Sequence, residues 1–253
     1  MLSIRNLTGL LVALCLPVVV LAATTDELQT AVKDSKVAFV LVTEPGAVGT
    51  DQAKQTIQGA MAQVPGSVMI ESNRADAANA EFVQKYRLAS APLPLILVFG
   101  SNGVIAGGNV ASRLNPQQLV AMVPSPKKAE VIQAVQSGKA VYVTASRPGM
   151  ELKPQVMSGC AAACQQMMGR CVSVEINMDN PEEQDFLKQL RVNMQSKEPV
   201  TVVINAKGKV TGSYTGAVKV KSLIASATKV VSGGCCGGGS GSCGPSTKKT
   251  GGK

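Results

Sequence analysis

The chain has 253 residues, of which 45% are apolar and 16% charged, so it suits one large domain or two small ones and is too apolar for a disordered chain. It contains no histidine and no tryptophan, and the missing imidazole excludes Ser-His-Asp and Cys-His catalytic sites, histidine zinc sites and histidine-ligated haem. The formal net charge is +9, but aromatic residues make up only 3% of the chain; base-stacking surfaces are therefore missing, and we predict no nucleic-acid partner.

Residues 1–23 have the pattern of a secretory signal peptide. One cation, Arg5, precedes a long apolar run, and the small residues Ala22 and Ala23 stand before a polar stretch. We therefore predict an exported protein, periplasmic or extracellular, that is cleaved after Ala22 or Ala23. The alternatives are an uncleaved membrane anchor and a lipoprotein attached through Cys15. We predict no membrane span in the rest of the chain.

After the leader, the hydrophobic pattern predicts eight elements in the order helix, strand, helix, strand, helix, strand, strand, helix. Their predicted bounds are 26–33, 36–42, 50–64, 68–71, 77–86, 95–99, 104–106 and 116–122. The β-branched first strand is typical of a buried strand. Asn102 and Gly103 form a turn pair that predicts a hairpin between the last two strands.

The same order of elements recurs in the second half of the chain. Its predicted bounds are 126–137, 139–145, 151–168, 172–177, 182–192, 200–204, 209–212 and 218–227. Three ordered matches support the repeat: the first strands, the pair Asn73 and Asn177, and the pair Pro94 and Pro199. Because the offset drifts only from 103 to 105 residues, we interpret the chain as a tandem duplication.

Strand, helix and strand in succession predict a parallel crossover, to which the hairpin adds antiparallel strands, with helices on both faces. This order resembles the thioredoxin fold, and segment 86–103, with Pro94 opening a strand before an Asn-Gly turn, is similar to the family's cis-proline segment. The resemblance implies an α/β chain of two tandem thioredoxin-like domains, 24–123 and 124–231, each a mixed central sheet flanked by helices. It also implies cis peptide bonds before Pro94 and Pro199.

The resemblance ends at the family's redox site. In thioredoxins a Cys-x-x-Cys pair follows the first core strand at a helix N-terminus, which lowers the pKa of the attacking thiol. The corresponding segments here, 44–49 and 146–150, contain no cysteine. We therefore predict no catalytic residues and a protein that is not an enzyme. If it were one, it would be a thiol-disulfide oxidoreductase.

Six cysteines remain after the leader, and in an exported protein an even number indicates disulfides, whose pairing the sequence leaves open. Cys160 and Cys164 share one face of a predicted helix with Val156 and Met168, which predicts core residues or a structural bridge from Cys171 to one of the two helical cysteines. The alternative is soft-metal binding, as in copper-handling relatives of the fold, although those relatives add a histidine.

The last segment, 232–253, is a predicted disordered tail rich in Gly, Ser and Lys. It contains Cys235, Cys236 and Cys243 but no large apolar residue, so these cysteines cannot be core residues. Exposed thiols bind a soft metal such as Cu or Zn, form a disulfide with another chain, or exchange disulfides with a partner. A bridge from Cys243 to one of the adjacent pair remains open, as does an incidental linker. Apart from such a metal, we predict no cofactor.

These patterns favour a non-catalytic protein-binding or scaffold module whose tail cysteines attach it to a partner or a soft metal. The expected partner is a protein, disulfide-linked or part of an anionic cell envelope. Two alternatives remain. One is a thiol-disulfide exchange protein that uses the tail together with Cys160, Cys164 and Cys171. The other is a periplasmic protein that sequesters copper or zinc.

Overall fold

The computed structural model describes residues 23–231. The predictions for the leader, including Cys15, and for Cys235, Cys236 and Cys243 in the tail lie outside the described residues. Within residues 23–231, none of the helices combines the length and the apolar character needed to cross a membrane.

The first repeat contains the eight predicted elements in the predicted order, with short 3-10 turns before the third and fourth helices. The elements are α1 (Thr24–Lys33), β1 (Ala38–Thr43), α2 (Thr50–Met61), β2 (Val68–Asn73), α3 (Ala80–Lys85), β3 (Leu95–Phe99), β4 (Ile105–Val110) and α4 (Pro116–Met122). The strands form one sheet in the order β2-β1-β3-β4, in which β1 pairs with β2 in parallel and the other pairs are antiparallel. The predicted crossover and hairpin are therefore confirmed.

Alternate side chains of β1 enter two different apolar layers, as the period of a strand requires. Val40 packs with α1 and α3 on one face of the sheet. Phe39 and Leu41 pack with α2 and α4 on the other face. Because both faces are covered, β1 is buried along nearly its whole length, which explains why its sequence is a continuous β-branched and apolar run.

The second repeat has the same construction. Its elements are α5 (Pro126–Gln136), β5 (Ala140–Ser146), α6 (Lys153–Gln166), β6 (Cys171–Asn177), α7 (Gln184–Gln189), β7 (Val200–Ile204), β8 (Val210–Thr215) and α8 (Val220–Thr228). The sheet order β6-β5-β7-β8 and the strand directions match those of the first sheet. On one face, Tyr142 of β5 packs with Cys160 of α6 and Leu223 of α8.

The chain divides into two compact units. Among the described residues, one contains 23–133 together with Asn180–Phe186, and the other contains Ala134–Asp179 and 187–231. Each unit contains one of the two sheets.

The peptide bonds before Pro94 and Pro199 have different conformations, against the prediction. The Leu93–Pro94 bond is the one cis peptide bond among residues 23–231, so the expectation of a cis bond before Pro199 is wrong. The loop before Pro199 is one residue longer, and Ser196 closes a turn there by donating its hydroxyl to the Glu198 carbonyl oxygen at 2.6 Å. This loop therefore reaches the next strand with the ordinary trans bond.

Met168 is a second correction. The helical spacing predicts Met168 on the core face of the helix that bears Cys160, but α6 ends at Gln166 and the Met168 side chain is 84% exposed. Met168 has φ 49 and Gly169 has φ 77, so the chain turns away through left-handed conformations directly after the helix. Met167, one residue earlier, is buried instead.

Candidate functional site

In both repeats, the loop after the central strand stands where the resemblance places the family's dithiol. The loop after β1 begins with Glu44, and the loop after β5 begins with Arg147. The two residues are 103 positions apart, which is the offset of the strands that precede them. An ion pair occupies this position in each repeat.

In the first repeat, Arg74 makes this ion pair from the neighbouring strand end. It directly follows β2, and its Nη2 and Nε donate to Glu44 Oε2 at 2.7 and 3.1 Å. Its Nη1 donates to the carbonyl oxygens of Ala91 at 2.8 Å and Leu88 at 3.2 Å, in the loop before Pro94. With its side chain only 18% exposed, Arg74 joins three loops at one edge of the sheet.

In the second repeat, the arginine comes from the other loop. Arg147 Nε donates to Asp179 Oδ1 at 2.8 Å. Its Nη2 donates to the Met194 carbonyl oxygen at 2.7 Å, and Nη1 lies 3.4 Å from the Ser196 carbonyl oxygen. Both carbonyls belong to the loop before Pro199, so Arg147 joins the same three loops that Arg74 joins in the first repeat.

The guanidinium explains why both repeats use arginine here. It presents five N–H donors in a planar fork, so one side chain can satisfy a carboxylate and two backbone carbonyls together. These arginines tie the loops together but supply neither a nucleophile nor a proton donor. None of these four charged residues was predicted from the sequence, although Glu44-Pro45-Gly46 and Arg147-Pro148-Gly149 carry opposite charges at equivalent positions.

Next to Arg147 lies an open groove of about 650 Å³ within the second unit. Residues 147–152 form one part of its lining, and residues 196–198 form the other. The lining combines the apolar side chains of Met150 and Leu152 with charges of both signs from Lys197 and Glu198. The groove therefore offers apolar contact and polar contact side by side.

The three described cysteines do not form a set of free thiols. Cys164 and Cys171 form a disulfide with their Cα atoms 5.2 Å apart, which ties the last turn of α6 to the start of β6. This confirms the predicted bridge from Cys171 to one helical cysteine. Cys160, one turn before Cys164, is free and buried, and its Sγ lies 3.7 Å from Thr144 Oγ1.

Burial changes the acidity of two neighbouring groups in this core. It raises the pKa of the Cys160 thiol, and the hydrogen bond with Thr144 opposes this only in part. It also raises the pKa of Tyr142 to about 12, with smaller contributions from Cys160 and Tyr214. The thiolate is the reactive form of cysteine, so the surroundings of Cys160 favour the unreactive thiol.

No metal centre is formed by the described part of the chain. Among residues 23–231, no three or more His, Cys, Asp or Glu side chains are placed to hold a metal ion. Cys164 and Cys171 are bonded to one another, so they are not available as thiolate ligands in this state. The predicted metal ligands Cys235, Cys236 and Cys243 lie outside the described residues.

No protein-family model and no curated protein matches the chain. Solved structures do match it. The first two thioredoxin domains of Saccharomyces cerevisiae Eps1p are 9% identical over 83% of this chain and 97% of theirs, with a TM-score of 0.31. A zinc-bound form of human ERp44 is 10% identical over 79% of this chain, which spans 55% of ERp44, with a TM-score of 0.36. An N-terminal domain of the alkylhydroperoxide reductase AhpF from Enterococcus faecalis is 11% identical over 80% of this chain and 98% of that domain, with a TM-score of 0.24.

The mixed strand directions and the helices around each sheet are those that the resemblance implied. The chain has a thioredoxin-like fold, twice in tandem. In both thioredoxin-like domains, the position of the family's dithiol holds an arginine–carboxylate pair.

Proposed function

We propose that the protein is an exported, non-catalytic binding module whose second thioredoxin-like domain holds an extended segment of a protein partner. The observation that carries this proposal is the open groove beside Arg147, at a site where an ion pair stands in place of reactive cysteines. A site without a nucleophile but with an accessible groove suits binding better than catalysis.

The lining of the groove favours a polypeptide over other ligands. Met150 and Leu152 can contact an apolar side chain, while Lys197 and Glu198 can contact a peptide's polar groups. Because the charges are of both signs, the groove lacks the uniformly positive surface that nucleic acids require. The Arg147 bonds to the Met194 and Ser196 carbonyl oxygens fix the two sides of the groove relative to one another, which lowers the ordering cost of binding.

The tail is proposed to strengthen this attachment. Cys235, Cys236 and Cys243 follow the second domain on a glycine-rich segment. A tail thiolate that attacks a disulfide of the bound partner forms a mixed disulfide and releases the partner's other sulfur as a thiolate, so a weak contact becomes a lasting one without an external oxidant. The leader is proposed to bring the protein into an oxidising compartment, where such a disulfide persists. A soft metal ion held by the tail thiols is the other form of attachment in this proposal.

The binding experiment uses a permanently unfolded polypeptide as the probe, namely reduced and carboxymethylated α-lactalbumin. We expect NMR shifts of the Met150 and Leu152 amides on titration. The variant Lys197→Trp, which adds a bulky ring to the lining of the groove, should weaken binding at least about tenfold. The matched control Lys207→Trp places the same ring on an exposed loop of the same unit and should bind as the natural chain does. No shifts in the groove, or equal binding by both variants, would contradict the proposal.

A second measurement separates binding from catalysis. We expect no turnover in the dithiothreitol-driven reduction of insulin by the natural chain. Turnover that disappears when Cys235, Cys236 and Cys243 are replaced by serine would overturn the non-catalytic proposal in favour of tail-driven thiol exchange. Metal analysis of the same preparations then tests the tail: copper or zinc lost in the serine variant supports metal attachment, and mixed disulfides lost in that variant support covalent attachment.

A further inference from the structure

The first turn of α1 depends on the residue immediately before it. Ala23 has the extended backbone of an N-cap residue, with φ −64 and ψ 145. Its carbonyl oxygen accepts the backbone N–H groups of Asp26 at 2.9 Å and Glu27 at 3.1 Å. A helix leaves its first N–H groups without intrahelical partners, so removing Ala23 would remove the acceptor of two of them.

Thr24, the next residue, is buried and held by a side chain from the turn before α3. Its backbone N–H donates to Asn79 Oδ1 at 2.9 Å, and its hydroxyl donates to the same oxygen at 2.8 Å. Asn79 is itself fixed, because its Nδ2 donates to the Asn73 carbonyl oxygen at 3.0 Å. Thr24 is 1% exposed and Asn79 is 6% exposed, so the nitrogen of Thr24 lies in a site shaped for a neutral amide.

The second repeat has a matching arrangement at α5. The Ser125 carbonyl oxygen accepts the Ala129 N–H at 2.9 Å, as that of Ala23 accepts Glu27. Glu183, at the position equivalent to Asn79, accepts the Ser125 hydroxyl at 2.6 Å and the Lys127 N–H at 2.8 Å. In the second repeat, therefore, a residue that precedes the first helix supplies its capping carbonyl within a continuous stretch of chain.

We infer that, if the leader is removed as proposed above, it is removed between Ala22 and Ala23, so that Ala23 is the first residue of the mature protein. Cleavage one bond later would place an ammonium group on the buried Thr24 nitrogen, at the positive end of the helix dipole, and would delete the capping carbonyl. Cleavage after Ala22 keeps that carbonyl and leaves the ammonium on Ala23, which is only half-buried. The sequence agrees, because the position three residues before the bond is then Val20 instead of the larger Leu21.

The processing experiment uses the full chain, expressed in a bacterium and recovered from the exported fraction. Intact mass and N-terminal sequencing are expected to identify Ala23 as the first residue. A mature chain that begins at Thr24 would overturn this inference and leave the export proposal standing. A chain that retains its leader would overturn the export proposal and, with it, this inference.

A second experiment tests the structural reason independently of export. Two chains are prepared with defined first residues, Ala23 and Thr24, by a protease that leaves no additional residue, and are unfolded in urea. The Thr24 chain is expected to have a folding equilibrium constant at least about tenfold lower. Asn79→Ala should lower the folding equilibrium constant strongly in the Ala23 chain and much less in the Thr24 chain. The reason is that removing Ala23 and replacing Asn79 both disrupt the same bonded arrangement at the start of α1. Equal stability of the two chains would overturn the structural reason given for this cleavage site.

Discussion

Glu44 and Arg147 hold the same position, directly after the central strand of their own sheets, and carry opposite charges. Glu44 accepts two hydrogen bonds from Arg74, and Arg147 donates to Asp179. In both repeats the arginine also binds two carbonyl oxygens of the loop before a proline-led strand. The two domains therefore build similar bridges with the charges exchanged, although Arg74 is the first residue after β2 and Asp179 is the second residue after β6.

This exchange predicts the result of a charge swap in the first domain. Glu44→Arg alone places two guanidinium groups together and should lower the free energy of unfolding by about 1 to 3 kcal/mol. Adding Arg74→Asp gives the new guanidinium at position 44 a carboxylate partner, as Arg147 has in Asp179, and should recover at least half of the loss. Urea unfolding of both single variants and the double variant measures the coupling. A double variant no more stable than Glu44→Arg would contradict the exchange.

The Cys164–Cys171 disulfide should stabilise the second domain. It closes a short loop of chain between α6 and β6, and the loss of unfolded-state entropy from such a loop is worth about 2 to 3 kcal/mol. We expect Cys164→Ala with Cys171→Ala to lower the unfolding midpoint in urea, and dithiothreitol to lower that of the natural chain but not that of the variant. A natural chain whose midpoint is insensitive to dithiothreitol would show that the disulfide contributes nothing.

Cys160 should be unreactive while the domain is folded. It is 1% exposed, and burial raises the pKa of its thiol, so both access and thiolate formation are opposed. In a chain that begins at Ala23 and carries serine at 235, 236 and 243, iodoacetamide near neutral pH should label no residue until urea unfolds the protein. A Cys160→Ala version of that chain is the control and should stay unlabelled in urea. Rapid labelling of Cys160 in the folded chain would revive the exchange hypothesis.

Stability should fall in alkaline solution, partly because of Tyr142. Its pKa in the folded state is raised from 10.0 to about 12 by burial, so its contribution is complete below pH 10 and is lost as the pH rises toward 12. The free energy of unfolding therefore falls by about 2 to 3 kcal/mol as the pH rises through this range. Cys160, whose pKa is also raised, adds a loss of the same sign above its unfolded value of 9.0.

Tyr142→Phe isolates the tyrosine contribution. The variant keeps the buried ring and loses only the 3.3 Å contact of the hydroxyl with Met167 Sδ, so its stability at neutral pH should be within about 1 kcal/mol of the natural chain. Between about pH 9 and about pH 11, urea unfolding should show a smaller decline in the variant. Parallel declines in the two proteins would contradict the assignment to Tyr142.

The hydrophobic pattern of the sequence was sufficient to predict much of the fold. The run at 36–42 predicted a buried strand, and β1 occupies Ala38–Thr43. Its bounds shifted because the paired register with β2 runs from Ala38 to Thr43. The loop before Pro199 could not be predicted in the same way, because its trans bond depends on one additional residue and a turn closed by Ser196.

The candidate site was only partly accessible to sequence reasoning. The absence of cysteine from segments 44–49 and 146–150 is a property of the sequence and excluded the family's dithiol directly. The arginine bridges were not predicted, because Arg74 and Glu44 are 30 residues apart and only the parallel pairing of their strands brings them together. The same applies to Asn79, which meets Thr24 only when α1 packs on the sheet.

The sequence by itself determined the two repeats, the order of their strands and helices, and the lack of imidazole and of the dithiol, because these are properties of composition and periodicity. The tertiary structure decided which helical cysteine bonds to Cys171, and it placed Arg74 and Arg147 in equivalent bridges from different loops. It also made Ala23 the cap of α1. Each of these depends on a distance of a few ångströms between particular atoms, and hydrophobic patterning carries no information at that scale.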